Sequence, residues 1–323
     1  MSEQSRTEHR SVSVERFLRV WGTLIGFGFL LLLFSVLRPD AFARLSNLRN
    51  VVEQVGTLAI ASAGVTMVMV TGDFDLSVGA IASLVGVVVA KLMVAGVGIV
   101  PAIGIGLATG AVFGAINGLF VAYAGVSPFI GTLATMTSYT GLSLFVTRGT
   151  TVFGMPEPFR IIGQESIGPV PVSVIIMVVV VAATYLLLDY TTFGQRLYAI
   201  GGNRTAAFLA GINTKKMRFL AFVYSGLTAA LAGIVLTSRL FSAHPQAGAP
   251  FMLNAAAAVF LGMTAFREGQ GNVFGTVLGV FIMGILSNGL NIIGVNTYIQ
   301  SVLTGAILVL AVLLSGLAQR KEG

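Results

Sequence analysis

The sequence predicts an all-α polytopic membrane protein with about ten transmembrane helices. Charged residues make up 10% of the 323 positions and hydrophobic residues 55%, whereas about a quarter of a soluble domain is charged. The 40 glycines predict close helix packing, because small side chains let helix backbones approach one another in lipid. The sequence contains no cysteine, which excludes a disulfide framework and a thiolate metal site.

Ten apolar runs are long enough to cross roughly 30 Å of hydrocarbon. They divide the chain into a basic N-terminus at 1–19, a single transmembrane domain at 20–317 and a tail at 318–323. The first run is too long for a signal-peptide core and is expected to stay as an anchor. The eighth is short, and we expect it to be tilted or partly re-entrant. The predicted spans are 20–37, 51–71, 79–98, 99–123, 128–147, 172–188, 218–238, 252–265, 273–293 and 298–317.

The loop charges predict that both termini are cytoplasmic. With the N-terminus inside, twelve Lys and Arg residues fall on cytoplasmic segments and six on outer segments, in line with the positive-inside bias. The net charge of +7 is therefore interpreted as an orientation signal and not as a nucleic-acid footprint. Two connections are long: an outer one at 148–172, which could form a cap or docking surface, and a cytoplasmic one at 189–218.

Two similar segments indicate an inverted repeat of two five-helix halves. NGLFVAYAGVSPFIGTL begins at Asn117, and NGLNIIGVNTYIQSVL begins at Asn288. In the predicted topology the first copy runs inward and the second runs outward. Inverted repeats of this kind surround a midplane pathway in many transporters.

The stretch GDFDLSVG, residues 72–79, places two carboxylates between apolar spans. An Asp at a helix centre costs about 2.5 to 3.5 kcal/mol on insertion scales, so this position needs a structural or functional reason. Asp75 is expected to cap the third span and to complement the helix dipole. Asp73 is expected to brace the turn or to face a water-filled pathway. Direct contact with a hydroxylated substrate and a proton relay are the alternatives for this motif.

The stretch GGNRTAAFLAGIN, residues 201–213, predicts a short capped helix in the cytoplasmic connection. Asn203 suits the N-cap, because its side-chain oxygen can accept from free backbone N–H groups. Gly211 suits a left-handed stop. So short a helix does not persist alone in water, and something must therefore hold it in place.

The composition of this helix suits insertion into a groove of another protein. Ala206, Ala207 and Ala210 keep the helix thin. Arg204 at the first helical position opposes the helix dipole, and we expect it to pair with an acid on that other protein. The alternative is an amphipathic helix that lies on the lipid headgroups.

Four segments carry a family resemblance that extends from about residue 20 to 317. In chain order they are GVTMVMVTGDFDLSVGAIASLVG, GVSPFIGTLATM, YAIGGNRTAAFLAGINTKKMRFLAFVYSGLTAALAGIVLTSRLFSAHPQAG and LSNGLNIIGVNTYIQSVLTGAILVLAVLL. Together they resemble the permease subunits of ribose-type carbohydrate ABC importers. The resemblance implies a bacterial inner-membrane subunit that pairs with a second permease copy or a paralogue. It also implies that a periplasmic binding protein delivers a sugar and that a separate cytoplasmic ATPase drives translocation.

In the resembling family, the loop that matches the 201–213 stretch is the coupling helix against the ATPase. The resemblance implies this role for Gly201, Gly202, Asn203, Arg204, Ala206, Ala207, Gly211 and Ile212. The chain has no GxxxxGK[ST] sequence, the P-loop that binds nucleotide phosphates. We therefore expect no cofactor and no catalytic residue in this chain, and we expect the partner ATPase to bind the ATP.

Polar and aromatic residues near the spans are candidates either for the translocation pathway or for helix packing. Amides bond to hydroxyls without carrying a charge, and an aromatic ring can stack on a sugar face. Asn254 stands where the resembling family usually has Asp, which leaves the identity of the sugar open. The candidates are Asp73, Asp75, Ser77, Asn117, Phe129, Asn254, Asn288, Asn291 and Tyr298.

The alternative function is an ion-gradient-driven secondary transporter of a small polar solute. Transporters of that class also combine inverted repeats with acids inside the membrane, but they need no ATPase. An intramembrane enzyme is disfavoured, because the sequence shows no His, Cys and carboxylate cluster that would form a nucleophile or metal site.

Overall fold

The computed structural model describes residues 22–266 and 269–320, with side chains through Val312. The basic N-terminus at 1–19, the start of the first predicted span, Arg267 and the last three residues lie outside the described residues. The predicted orientation signals in those segments are therefore not part of the structural description.

The described chain is helical along most of its length. A short two-stranded hairpin, a 3-10 turn at Glu157–Ile162 and a π-helical turn at Leu119–Tyr123 interrupt this pattern. The helices are α1 Gly22–Leu37, α2 Pro39–Phe42, α3 Leu45–Met69, α4 Val78–Val94, α5 Ile99–Gly118, α6 Pro128–Thr147, α7 Val172–Tyr190, α8 Thr192–Gly202, α9 Arg204–Leu209, α10 Thr214–Leu240, α11 Ala249–Met263, α12 Val273–Ile292 and α13 Thr297–Arg320, and the strands are β1 Ser166–Ile167 and β2 Val170–Pro171.

Ten apolar helices in the described residues correspond to the ten predicted spans. Six are long and apolar enough to cross a membrane, and four are shorter apolar helices. The predicted all-α polytopic fold is confirmed. The boundaries differ at some ends, since α3 begins at Leu45 and α11 runs from Ala249 to Met263. The eighth span is therefore a short helix that starts before the predicted position.

The chain forms two compact units. Among the described residues, the terminal unit contains those up to 51 and those from 257 onward, and the central unit contains residues 52–256. This division does not follow the predicted five-helix halves, so the inverted repeat stays a prediction. The two matching segments nevertheless share a local structure. Each has a helix, a glycine with positive φ (74° at Gly125 and 79° at Gly294), and a new helix that starts three residues later.

Helices α5 and α10 of the central unit pack with their backbones close together. Gly110, Gly114 and Gly118 recur every four residues and therefore share one face of α5. A Cβ atom at Gly114 would collide with the carbonyl oxygen of Phe222, and one at Gly110 would collide with Gly226. Close helix packing at glycines, predicted from the composition, is confirmed for this pair.

The connection at 189–218 contains two helices where one was predicted. In the additional helix α8, the buried residues are Gly194, Leu197 and Ile200, and this spacing of three places them on one side. The Thr191 side chain caps α8 by accepting from the Gly194 N–H. The same spacing is readable in the sequence and could have identified α8.

The connection at 148–172 covers the C-terminal end of α10. Val152 and Ala243 exchange two backbone hydrogen bonds of 3.0 Å, and the Ser238 hydroxyl donates to the Phe159 carbonyl at 2.6 Å. The connection at 148–172, predicted to lie on the outer side, therefore meets the segment that follows α10 at one end of the central unit. The connection is folded against this end of α10. Its role as a cap or docking surface, and the side of the membrane on which it lies, stay predictions.

Candidate coupling site

The short helix predicted from GGNRTAAFLAGIN is present as α9. The Asn203 side chain accepts from the Ala206 backbone N–H at 2.9 Å, as expected of an N-cap residue. Gly211 has a φ of +83° and stops the helix in the left-handed region. Both ends of the helix were therefore predicted correctly from local sequence. Its role as a coupling helix stays a prediction.

The exposed face of α9 is apolar and differs from the predicted face at one position. Phe208 is 66% exposed and Leu209 79% exposed, whereas Ala207 is only 5% exposed and packs within its own chain. Ala207 therefore does not lie on the exposed side of α9, because the sequence alone does not show which side of α9 rests on the protein, and docking of α9 in a groove of another protein stays a prediction. Gly202 and Ala206 are exposed, and Ile212 is half-buried.

Arg204 pairs with an acid of the same chain. Its Nη2 atom donates to Oδ1 of Asp73 at 3.0 Å, across 131 residues of sequence. The expectation of an acid on another protein was therefore wrong. The physical reason is that the junction of α8 and α9 packs against the 70–77 segment, where a Cβ atom at Gly201 would collide with the Val70 carbonyl oxygen.

The Asp73 carboxylate is fully buried and receives hydrogen bonds from two arginines. Arg218 donates to it from Nε at 2.5 Å and from Nη2 at 2.9 Å, which is a bidentate geometry. The Thr71 hydroxyl also donates to it, at 3.1 Å. Charge-assisted bidentate bonds are the stronger kind of hydrogen bond, and they compensate the buried charge. Asp73 therefore braces the turn, as predicted, and does not face water.

Asp75 is bound by neutral groups. Its Oδ1 atom accepts from the backbone N–H of Ser77 at 2.9 Å and from the Ser77 hydroxyl at 2.7 Å, while its Oδ2 atom accepts from the Ser225 hydroxyl at 2.8 Å. Helix α4 begins at Val78 with Ser77 at the N-cap position. Asp75 was therefore wrongly predicted as the cap itself. The helix starts later than expected, and the Leu76 N–H of the preceding segment is bound to the Thr132 hydroxyl at 3.1 Å.

A buried polar network extends from Asp75 to α5 and α6. The Asn117 side-chain N–H donates to the Ser77 hydroxyl at 2.7 Å. The Tyr139 hydroxyl shares its single proton between the Phe113 carbonyl at 3.1 Å and the Asn117 side-chain oxygen at 3.4 Å. The structure thus brings together three predicted candidates, Asp75, Ser77 and Asn117. The 70–77 segment therefore contacts three helices, namely α5, α6 and α10, the last through Ser225.

The other predicted pathway candidates are not part of this network. Phe129 is exposed in the central unit, where Asn254 is half-buried. In the terminal unit, the side chains of Asn288 and Asn47 exchange two hydrogen bonds of 3.0 Å. Asn291 accepts from Gln300 at 2.7 Å, and Tyr298 is exposed.

Sequence reasoning missed Arg218 and Ser225 as site residues. Arg218 was counted only as a loop charge, although it begins the seventh predicted span. A buried acid in a membrane protein is expected to pair with a cation, and this principle, applied to Asp73, would have identified the arginines at span ends as candidate partners. Ser225 carries no such signal, because small polar residues in membrane helices are common.

These features define a multi-pass all-α membrane protein, in which one of the connections between apolar helices exposes a short helix. A protein-family model described as "Branched-chain amino acid transport system / permease component" matches residues 47–312. The chain belongs to this permease family, and the resemblance predicted from its motifs is confirmed.

Known relatives match the chain over nearly its full length. The ribose import permease protein RbsC of Bacillus subtilis (strain 168) is 41% identical over 315 residues, covering 97% of this chain and 98% of the relative. RbsC of Escherichia coli (strain K12) is 38% identical, covering 94% and 97%. The D-allose transport system permease protein AlsC of the same strain is 35% identical, covering 97% of each chain. No solved structure matches the chain.

Proposed function

We propose that this chain is the permease subunit of an ABC importer that moves a sugar across the bacterial inner membrane. The observation that carries the proposal is the near full-length similarity to import permeases for ribose and to the D-allose permease. The substrate class is a pentose, a hexose or a related polyol. ATP hydrolysis by a separate ATPase subunit supplies the energy, and this chain itself binds no ATP.

The ATPase binds at α9. The motif from Gly201 to Ile212 matches the coupling segment of the resembling family, and α9 exposes Phe208 and Leu209. Exposed large apolar residues on a connecting loop are typical of a protein or membrane contact. The residues that hold α9 in place lie in the same chain, so α9 is presented as a preformed element.

The remaining partners occupy the other end of the central unit and the membrane. A periplasmic sugar-binding protein delivers the sugar at the end formed by the 148–172 connection and the C-terminal end of α10. A second permease, identical or a paralogue, completes the transmembrane part. Both chain termini are cytoplasmic in this arrangement, as the loop charges predict.

The two aspartates do not favour an ion-driven mechanism. Asp73 is neutralised by two arginines and Asp75 is enclosed by hydroxyl donors. Acids of either kind, structural or proton-relaying, lie inside the helix bundle, but the oxygens of both aspartates are buried and already accept hydrogen bonds from side chains of the same chain. A structural role for both acids therefore agrees better with transport that an external ATPase drives.

Uptake into proteoliposomes tests this function. The permease is reconstituted with its ATPase and binding protein, and radiolabelled ribose and allose are supplied as probes. We expect uptake that stops when the P-loop lysine of the ATPase is replaced and that continues when an ionophore collapses the proton gradient. Uptake that survives the lysine replacement and stops with the ionophore would instead establish a secondary transporter.

A further inference from the structure

Two arginines that differ in solvent exposure bind the Asp73 carboxylate. Arg218 lies on α10 and its side chain is 8% exposed, whereas Arg204 lies on α9 and its side chain is 47% exposed. The buried bidentate bond to Arg218 holds the carboxylate against α10. The bond to Arg204 is a single, half-exposed contact that joins α9 to the same carboxylate.

The 70–77 segment that carries Asp73 also contacts the interior helices. Asp75 binds Ser225 of α10, Ser77 binds Asn117 of α5, and the Leu76 N–H binds Thr132 of α6. Along α10, Ser225 lies seven residues beyond Arg218, about 10 Å at 1.5 Å per residue. One short segment therefore connects the base of α9 with three helices at a deeper level.

We propose that the Arg204–Asp73 ion pair is the link through which movement of α9 reaches the transmembrane helices. This inference rests on the proposed function, in which the ATPase moves α9. Arg204 acts as a positioning residue, since it touches neither sugar nor ATP. When the ATPase displaces α9, the pair transmits the displacement to the 70–77 segment, and the Arg218–Asp73 pair keeps that segment attached to α10.

A coupling role and a purely structural role predict different effects of substitutions. A half-exposed ion pair contributes little to stability, so a structural role predicts almost no effect of removing Arg204. A coupling role predicts intact folding and ATPase binding together with a loss of sugar moved per ATP hydrolysed. The ratio of uptake to hydrolysis is therefore the informative quantity.

The experiment compares Arg204→Gln, Arg204→Lys and a matched control, Lys215→Gln, in the reconstituted importer. Lys215 is also exposed in the same connection, and its replacement removes the same charge. We expect Arg204→Gln to bind the ATPase normally but to transport about tenfold less sugar per ATP, within the usual size of a coupling effect. Arg204→Lys should recover most of the ratio, because its ammonium can still pair with Asp73, and Lys215→Gln should match wild type.

Three outcomes would overturn the proposal. The first is an unchanged ratio in Arg204→Gln, and the second is a ratio lowered equally in Lys215→Gln. The third is failure of Arg204→Gln to bind the ATPase, which would make Arg204 a docking residue. The proposed function fails by a different observation, namely wild-type uptake that needs no ATPase.

Discussion

The two ends of α10 are held by different interactions. At its Thr214 end, Arg218 makes a buried bidentate ion pair with Asp73. At its Leu240 end, backbone groups take part, as in the bond from the Ser238 hydroxyl to the Phe159 carbonyl, and the Arg160 guanidinium lies 4.0 Å from the centre of the Phe241 ring. The charged pair near that end, Arg160 with Glu157 at 2.9 Å, is exposed.

This difference indicates which end can transmit movement. Backbone contacts at the Leu240 end fix the distance between main chains, so the connection at 148–172 moves together with α10. At the Thr214 end, the side chains of two arginines, one on α10 and one on α9, meet on one carboxylate. The Thr214 end is therefore the end of α10 that a side-chain ion pair connects to α9.

The largest effect is expected from Asp73→Ala. This substitution leaves Arg218 buried without its partner, and breaking a buried pair in this way destabilises proteins by about 3 to 5 kcal/mol. The amount of monodisperse permease in detergent and its thermal unfolding temperature measure the loss. Glu157→Ala at the exposed pair is the matched control and should change stability by only about 0 to 1 kcal/mol. Equal losses in the two variants would refute the contrast between the two ends.

Gly163→Ala tests the backbone contact at the Leu240 end. A Cβ atom there would collide with the backbone of Arg239, and overpacking of this kind costs about 1 to 3 kcal/mol. Thermal unfolding in detergent measures this effect. Gly141→Ala in α6 is the control, because its Cβ atom would meet nothing within 4 Å. If Gly163→Ala is as stable as wild type, the connection at 148–172 is attached less rigidly than the structure indicates.

Asp75 gives a smaller effect, because its partners are neutral. Asp75→Ala removes the acceptor for two hydroxyls and one backbone N–H, and buried groups left without a partner cost about 1 to 3 kcal/mol. Asp75→Asn should remain near wild type, since its amide can accept from Ser77 and donate to the Ser225 hydroxyl. Quantified folded protein and sugar uptake distinguish the roles. If both variants fold normally but lose uptake equally, Asp75 acts in transport itself.

Asn203→Ala gives the smallest global effect. It removes the N-cap of α9 at a cost of about 1 kcal/mol, which matters locally because the helix has only six residues. Hydrogen exchange at residues 205–209 should become faster, while exchange in α10 stays unchanged. Asn203→Asp keeps an accepting side chain and should preserve the protection. Unchanged exchange in Asn203→Ala would show that tertiary contacts alone hold α9.

Much of this structure could be predicted from local sequence signals. The pairings between residues that are distant in sequence could not. The apolar runs determined the number of hydrophobic helices, and Asn203 with Gly211 determined both ends of α9. The predicted partner of Arg204 was wrong, because the observed partner, Asp73, lies 131 residues away and no local pattern identifies it. The burial of Ala207 was missed for the same reason, since a thin helix has the same pattern whichever side it buries. Helix α8 was missed although its apolar spacing is visible in the sequence.

The central claim is that α9 is the contact between this permease and an ATPase. Because the chain contains no cysteine, a single Leu209→Cys variant can carry a cross-linker at the most exposed apolar residue of α9. In the active complex we expect Leu209→Cys to cross-link to the ATPase, while Phe153→Cys in the 148–172 connection does not. A complex that transports sugar with no cross-link at Leu209, or with the ATPase attached at Phe153 instead, would contradict the account.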